Sequence, residues 1–420
     1  MLDFSDAPYQ FFPPKPSRPI ISLSSWVNRT LILRNTNHRI EKLTVGGSTR
    51  QFDDLKNHPR TRLLFVLNHP SHSDAQTAVE VQRRLGVSTC FMAAYDVFLR
   101  GKLNAWFMQR NGAFSIDRES SDRKAMAAAG EILTGGDYGL TIFPEGNVHF
   151  TNDRVTPFLE GAAFIGVRAQ KSLGTNADVI VVPIALKFSN LENIRPHVRG
   201  SLAQLAEAVG DTLDPSASPP GELMRIGRKL LARNLSQRGY LDPADQQSPD
   251  GDDCLFETLR HSAERIAGGL ETKMQLQPKP SYSIGNRIKK IRATIHQILS
   301  DPAREIDHRT ARNWADEALL VIRILSYGTP YVREKPTLDR VAETVEKLNE
   351  DLHNHTFKPP GKRAAYAHIG TPIRIADLLE NSSAKPRDAI AKLTSTLESS
   401  IQSGVDTINA TLDTEGSKNF

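Results

Sequence analysis

The sequence predicts an α/β fold: a mixed sheet flanked by helices, with a large helical insertion before the last strand. Three observations lead there. From Arg62 to Phe188, short apolar runs alternate with stretches of helical periodicity, the rhythm of helices packed on a mainly parallel or mixed sheet. From Leu191 to Gly361 the strand signals stop and helical segments follow one another. At Arg363 to Ile375 (RAAYAHIGTPIRI) a strand pattern returns, and one more helix follows. The predicted organisation is an α/β domain with an N-terminal arm over 1–190, a helical insertion over 191–362, and a last strand and C-terminal helix over 363–420 that complete the first domain.

Met1 to Pro19 read as a proline-rich arm. They lack the basic start and apolar middle of a secretory leader. Ile20 to Leu33 carries apolar residues at helical spacing, Trp26 among them, and is expected to pack on the body of the domain rather than lie on a membrane. Arg62 to Leu67 is a strand bounded by His58-Pro59 and Pro70. Ser73 to Leu85 is a helix with Ser71 or Ser73 as N-cap and Gly86 as its stop. Strands follow at Thr89–Ala93, Gly112–Ile116, Leu140–Phe143 and Asp178–Phe188, with helices at Ser121–Leu133 and Leu159–Gln170. In the insertion, helices are predicted at 202–208, 222–231, 255–274, 287–299, 311–326 and 338–352. Surface loops over Asp214–Gly221 and Gln246–Asp253 separate some of them. The long helices, such as Ala311–Ser326, should pack into their own bundle. The last helix spans Arg387 to about Ile408.

Composition narrows the function. Ordinary proportions of apolar and charged residues exclude a disordered chain, and no run approaches the ~18 apolar residues of a membrane span. Cys90 and Cys254 lie far apart and in no metal spacing, so reduced thiols and a cytoplasmic location are expected. Residues 1–62 hold ten Lys and Arg against five Asp and Glu, a basic segment suited to a peripheral contact with anionic headgroups or simply to solvent. The basic residues are not interleaved with aromatics, so no nucleic-acid partner is expected.

The chemistry starts at Leu67-Asn68-His69-Pro70-Ser71-His72-Ser73-Asp74. A hydroxyl becomes a useful nucleophile when a base removes its proton, and imidazole suits that task near neutral pH. A carboxylate on the other ring nitrogen fixes the tautomer and stabilises the imidazolium. His69 and Asp74 can pair this way if the chain turns sharply at Pro70, with the positive end of the following helix beside them.

Four blocks then occur in order: Asn68-His69 with Asp74, Gly112-Ala113-Phe114-Ser115-Ile116-Asp117-Arg118, Phe143-Pro144-Glu145-Gly146, and Val181-Val182-Pro183-Ile184-Ala185. Pro157–Ala163 and Gly370-Thr371-Pro372-Ile373 add two weaker segments. In this order the blocks resemble the glycerolipid acyltransferase superfamily, over roughly residues 40–190 and 363–380. The resemblance implies a fatty acyl group moved from a thioester, on coenzyme A or acyl carrier protein, to a hydroxyl of lysophosphatidic acid, glycerol 3-phosphate or a related lysophospholipid. His69 would be the general base and Asp74 its orienting partner. Arg118 would hold the acceptor's phosphate, Glu145 and Gly146 would line the acceptor site, and Asn68 would sit at the substrate site. Pro183 would shape the donor side. The acyl thioester is a co-substrate; no other cofactor and no metal are expected.

The sequence departs from the family after the third block. Asn147-Val148-His149 stands where Thr-Arg-Ser is common, so a basic residue is missing, and Arg154 in the next loop is the nearest substitute. Leu159-Glu160 likewise stands where a basic residue is frequent. Two other classes compete. A metal-dependent hydrolase would use His69, His72 and Asp74, with His149 nearby. A non-catalytic lipid-binding scaffold would act through the insertion.

Overall fold

The computed structural model describes residues 9–118, 122–214, 216–240, 252–277, 282–301, 303, 306–327, 330–380 and 386–420. The first residues of the arm, Ser121, Pro215, the Gln246–Gly251 loop and the side chain of Cys254 lie outside the described residues.

The chain opens with helix α1 (Arg18–Val27), a π-helical turn (Asn28–Ile32) and strand β1 (Ile40–Gly47). Next come α2 (Thr49–Lys56), β2 (Thr61–Leu67), α3 (Asp74–Arg84) and β3 (Thr89–Ala94). After a 3-10 turn (Tyr95–Arg100) follow α4 (Lys102–Arg110), β4 (Ala113–Ile116), α5 (Arg123–Gly135), β5 (Gly139–Ile142), α6 (Gly161–Leu173) and β6 (Asp178–Asn190). Among the described residues seven helices succeed them: α7 (Arg195–Ala208), α8 (Pro219–Gln237), α9 (Asp252–Lys273), α10 (Ile284–Ser300), α11 (His308–Leu325), α12 (Tyr331–Glu334) and α13 (Leu338–His353). The chain closes with β7 (Arg363–Ile369), β8 (Ile373–Arg374), α14 (Ile375–Glu380) and α15 (Pro386–Thr411).

The strands form one mixed sheet in the order β1-β7-β6-β2-β5-β3-β4, with β8 also beside β6. All pairs are parallel except β6 with β7 and β6 with β8. The fold class is the one the sequence predicts. β2 and β6 read as unbroken apolar runs because helices cover both faces of the sheet. Alternation then sends Leu64, Val66, Val179 and Val181 into the core beneath α5, α6 and α15. Phe65, Leu67, Ile180 and Val182 enter the opposite core with Phe52 of α2 and Val81 of α3. β7 follows the helical segment in sequence yet lies between β1 and β6, so residues more than 300 apart become neighbours.

The helices between β6 and β7 divide in two. α9, α10 and α11 share a core of Ile266, Leu270, Ile291, Ile295, Ala315 and Val321. α7, α8, α12 and α13 share another, around Leu202, Ile226, Tyr331 and Val341. α13 is bonded to the sheet. Asp339 accepts from Asn190 N (3.0 Å) and from Ser189 Oγ, and Arg340 Nε donates to Asp153 Oδ2 at 2.7 Å.

Several elements differ from expectation, and the short helices α2, α12 and α14 were not foreseen. β1 was not foreseen: it lies at the sheet edge with half of its residues exposed, so it lacks an apolar run. α4 was not foreseen either, because its apolar residues are not gathered on a buried face. α1 forms with none of its residues fully buried; the expected packing on the body comes at the end of the segment, where Asn28 Nδ2 donates to Gln76 O of α3 (2.8 Å) and Leu33 enters the core beside Phe52. The start of α1 is tethered too: Lys15 N and Ser17 N donate to the carbonyls of Gln109 and Arg110 at the end of α4. Among the described residues no helix is long and apolar enough to cross a membrane.

Candidate active site

β2 delivers the first block to the end of the sheet. Asn68, 2% exposed, closes the strand by a two-way link to β6: its Nδ2 donates to Leu186 O (2.9 Å) and its Oδ1 accepts from Leu186 N (2.7 Å). Both ends of the amide are engaged by backbone. Asn68 therefore positions the next residue and does not line the substrate site as expected.

His69 follows, its ring against Phe143 with centroids 4.7 Å apart. Its Nδ1 lies 2.7 Å from Asp74 Oδ2. The same oxygen accepts from Ser71 N at 3.0 Å, so the turn at Pro70 is stabilised by the carboxylate it presents to His69. Asp74 is fully buried, and burial raises its pKa against the opposing pull of His69 and the Ser71 amide. His69 keeps about a quarter of its side chain exposed and lines a large cavity.

Ser73 stands at the N-cap of α3, but its hydroxyl bonds to no helix amide. Arg363 Nη2 donates to it at 2.7 Å, and His38 Nδ1 lies 3.0 Å away. Arg363, the first residue of β7, also donates through Nη1 to Ser71 Oγ (3.3 Å) and through Nη2 to His38 O (2.8 Å). Ser73 takes the expected N-cap position, but its hydroxyl does not cap the helix because the Arg363 guanidinium claims it.

The third block turns back under His69. Glu145 Oε1 accepts from His69 N at 2.9 Å, and Oε2 accepts from the Thr156 hydroxyl. Burial lifts the Glu145 carboxyl to about 7, against those two bonds. Gly146 has φ +74°, and a Cβ there would lie 3.2 Å from Leu159 Cδ1. Glu145 and Gly146 both line the cavity. So does His149, which burial holds neutral, its pKa lowered to about 4.

Arg118, at the end of the second block, reaches the same cavity. Its Nη1 donates to Asn147 Oδ1 (3.0 Å) and its Nη2 lies 3.2 Å from Asp96 Oδ1. Arg154, the nearest substitute for the missing basic residue, is already paired with Glu334 of α12 at 2.6 Å.

Pro183 corrects another expectation. It is buried in β6 and does not line the cavity. It stands where β6 passes from pairing with β8 (Val181 with Ile373) to pairing with β7 (Ile184 with Ile369). A strand residue without N–H fits such a break. Its carbonyl accepts from Gly370 N at 2.8 Å, and a Cβ on Gly370 would meet the proline ring at 2.9 Å. This explains the late Gly-Thr-Pro-Ile segment by packing.

The His69, His72 and Asp74 cluster does not converge. His72 turns to Glu350 of α13, its Nε2 3.0 Å from Oε2, and its ring rests edge-on against Phe150. Among the described residues no three His, Cys, Asp or Glu side chains come together as a metal site. Cys90 is buried and free, and burial pushes its thiol up to about 12.

The cavity is about 2520 Å³. Its walls come from α1, α3, β3, α4 and the 142–165 segment on one side, and from α10 and α11 on the other. Sequence reasoning missed His38, Thr156, Glu350 and Arg363. Each is an ordinary polar residue in its own segment, and only long-range folding brings it to the His69 loop.

Residues 49–187 match the family described as Acyltransferase. No curated protein matches the chain. The matched span contains His69, Asp74, Arg118, Glu145 and Gly146, the residues that the fold gathers at the end of β2 and along the cavity wall. Residues 49–187, about a third of the chain, are an acyltransferase domain.

Proposed function

We propose that the protein is an O-acyltransferase of phospholipid synthesis. The donor is a fatty acyl thioester, on coenzyme A or acyl carrier protein. The acceptor is a hydroxyl of lysophosphatidic acid, glycerol 3-phosphate or a related lysophospholipid. The carrying observation is that Asp74 holds His69 Nδ1 at 2.7 Å while the ring lines the cavity, leaving Nε2 for a substrate. In this reading Nε2 takes the acceptor's hydroxyl proton as its oxygen attacks the thioester carbon. The tetrahedral intermediate collapses, the carbon–sulfur bond breaks, and the thiolate leaves with the proton that His69 carried. Asp74 stabilises the imidazolium between those events.

One further feature supports a phosphorylated acceptor. Arg118 lines the cavity with a guanidinium suited to phosphate, held there by Asn147 and the Asp96 carboxylate. The Glu145–His69 backbone bond fixes the loop that carries the base. The volume admits an acyl chain together with a polar head.

The test is acyl transfer by purified protein from labelled long-chain acyl-CoA and, separately, acyl carrier protein. The acceptors are glycerol 3-phosphate, lysophosphatidic acid and lysophosphatidylcholine, with His69→Ala as control. Product that depends on His69 supports the reading, and the preferred pair names the step. No product from any pair, with folded protein and lipid vesicles present, overturns it.

A further inference from the structure

Arg363 opens β7 and reaches the catalytic turn from the C-terminal part of the chain. Its Nη1 donates to Ser71 Oγ (3.3 Å), 292 residues away, and its Nη2 to Ser73 Oγ (2.7 Å), 290 residues away. Both serines lie between His69 and Asp74, so one planar guanidinium spans the turn that pairs base and carboxylate. The fork is itself held in place. Nε and Nη2 donate to His38 O at 3.2 and 2.8 Å, and the guanidinium lies over the Phe188 ring, 5.4 Å from its centroid.

The hydrogen bonds of this guanidinium go to hydroxyl and carbonyl oxygens, and among the described residues none goes to a carboxylate. Its charge is therefore not cancelled by contact. The acids that face it are Asp74 in the turn and Glu346 and Asp339 on α13, and His38 beside it is held neutral, its pKa lowered to about 4 by burial first and by Arg363 next. Asp74 needs such a charge. It is fully buried, and its Oδ1 has no hydrogen-bond partner among the described residues. The charged and titratable groups facing Asp74 are His69 and His72 on its own turn, Glu145 from the third block, and Arg363 from β7. Of these four, Arg363 alone is a cation at every working pH. A neutral His69 beside an ionised Asp74 gives the pair one negative charge, and a neighbouring cation favours that state.

We propose that Arg363 is a positioning residue for the base: it fixes the Ser71–Ser73 turn and supplies the positive charge that keeps Asp74 ionised opposite His69. Arg363 lies outside residues 49–187, so the acyltransferase domain takes this residue from the strand that follows the helical insertion. The proposal rests on His69 as the base, but its first two readouts need no turnover.

The test compares Arg363→Met and Arg363→Lys in the full chain. NMR of histidine-labelled protein reads the imidazole titration of His69, with His69→Ala to assign the signal. In Arg363→Met the titration should move up by about one pH unit or more, because the charged pair has lost its cation. The acid limb of kcat/KM should move up with it. Arg363→Lys keeps the charge and loses the fork. Its titration should stay near that of the parent, while kcat falls by roughly tenfold and KM changes little. The low-field Nδ1–H signal of the His69–Asp74 bond should broaden in both variants as the turn loosens. A residue that serves folding alone would lower the melting temperature and leave the titration in place, so an unmoved titration in folded Arg363→Met overturns the proposal. Where Arg363→Met does not fold, Arg363→Lys decides, and an Nδ1–H signal as sharp as the parent's overturns it. Absence of acyl transfer by the parent, with the titration shifting as expected, overturns the proposed reaction and leaves the part Arg363 plays in the pair standing.

Discussion

Glu350 reaches His72 across 278 residues of chain: its carboxylate oxygens lie 3.1 and 3.0 Å from His72 Nε2. The contact joins α13 to the loop that carries His69 and Asp74. The same carboxylate accepts from Phe357 N at 3.2 Å, which ties down the chain leading into β7.

Removing that link should act on the catalytic loop. Glu350→Ala and His72→Ala are each expected to lower kcat by roughly tenfold, with smaller changes in KM, because a loosened base is lost from the transition state more than from substrate binding. The double variant should be no worse than either single one, since both remove the same pair. Full additivity in kcat would show that the two residues act independently.

His69→Ala and Asp74→Asn should each reduce acyl transfer by about 10³-fold or more. Stability should move differently. Burial raises the Asp74 pKa, so its ionised form disfavours the fold. That group's contribution is fully present below its unfolded pKa and is lost as pH rises through the folded one. At neutral pH Asp74→Asn is therefore expected to melt no lower than the parent. Thermal denaturation checks this beside the activity assay, and retained transfer in both variants would falsify the base assignment.

Arg118→Ala should raise the acceptor's KM by roughly tenfold or more while leaving the donor's nearly unchanged, because a bidentate guanidinium–phosphate contact is lost. Arg118→Lys should recover only part of the loss. Equal effects on both substrates would remove the phosphate role.

Glu145 should titrate near neutrality, its carboxyl lifted to about 7 by burial. The folded state then binds more protons than the unfolded state from the ordinary glutamate range up to about 7, so this residue's contribution to stability declines across that window as pH rises. Glu145→Gln keeps an acceptor for His69 N and should flatten the decline in a pH series of denaturant melts. Glu145→Ala leaves that amide unpaired and should lower stability by about 1–3 kcal/mol.

Asp153 should govern acid stability where α13 meets the sheet. Burial alone would raise its pKa, but Lys187 and Arg340 hold the carboxyl down to about 2. Its contribution is complete above the unfolded value of 3.8 and lost as pH falls through about 2. Asp153→Asn strands Lys187, whose side chain is 2% exposed, and should cost about 3–5 kcal/mol. A melting curve at pH 7 indistinguishable from the parent would show that solvent reaches Lys187.

The sequence by itself determined the local features. Apolar runs flanked by Gly and Pro made β2, β5 and β6 legible, because a strand covered on both faces must be apolar throughout. The five-residue interval from His69 to Asp74, with a proline between them, made the pair at the head of α3 legible, because one turn of chain sets that distance. Tertiary structure decided what no local spacing encodes. It gave Asn68 and Pro183 to the backbone of the sheet, Ser73 to Arg363, and His72 to Glu350. It also set α1 along the cavity wall with no residue fully buried, although helical periodicity alone predicts a buried face. Periodicity fixes which side of a helix is apolar, but how far that side is covered depends on how the rest of the chain folds around it.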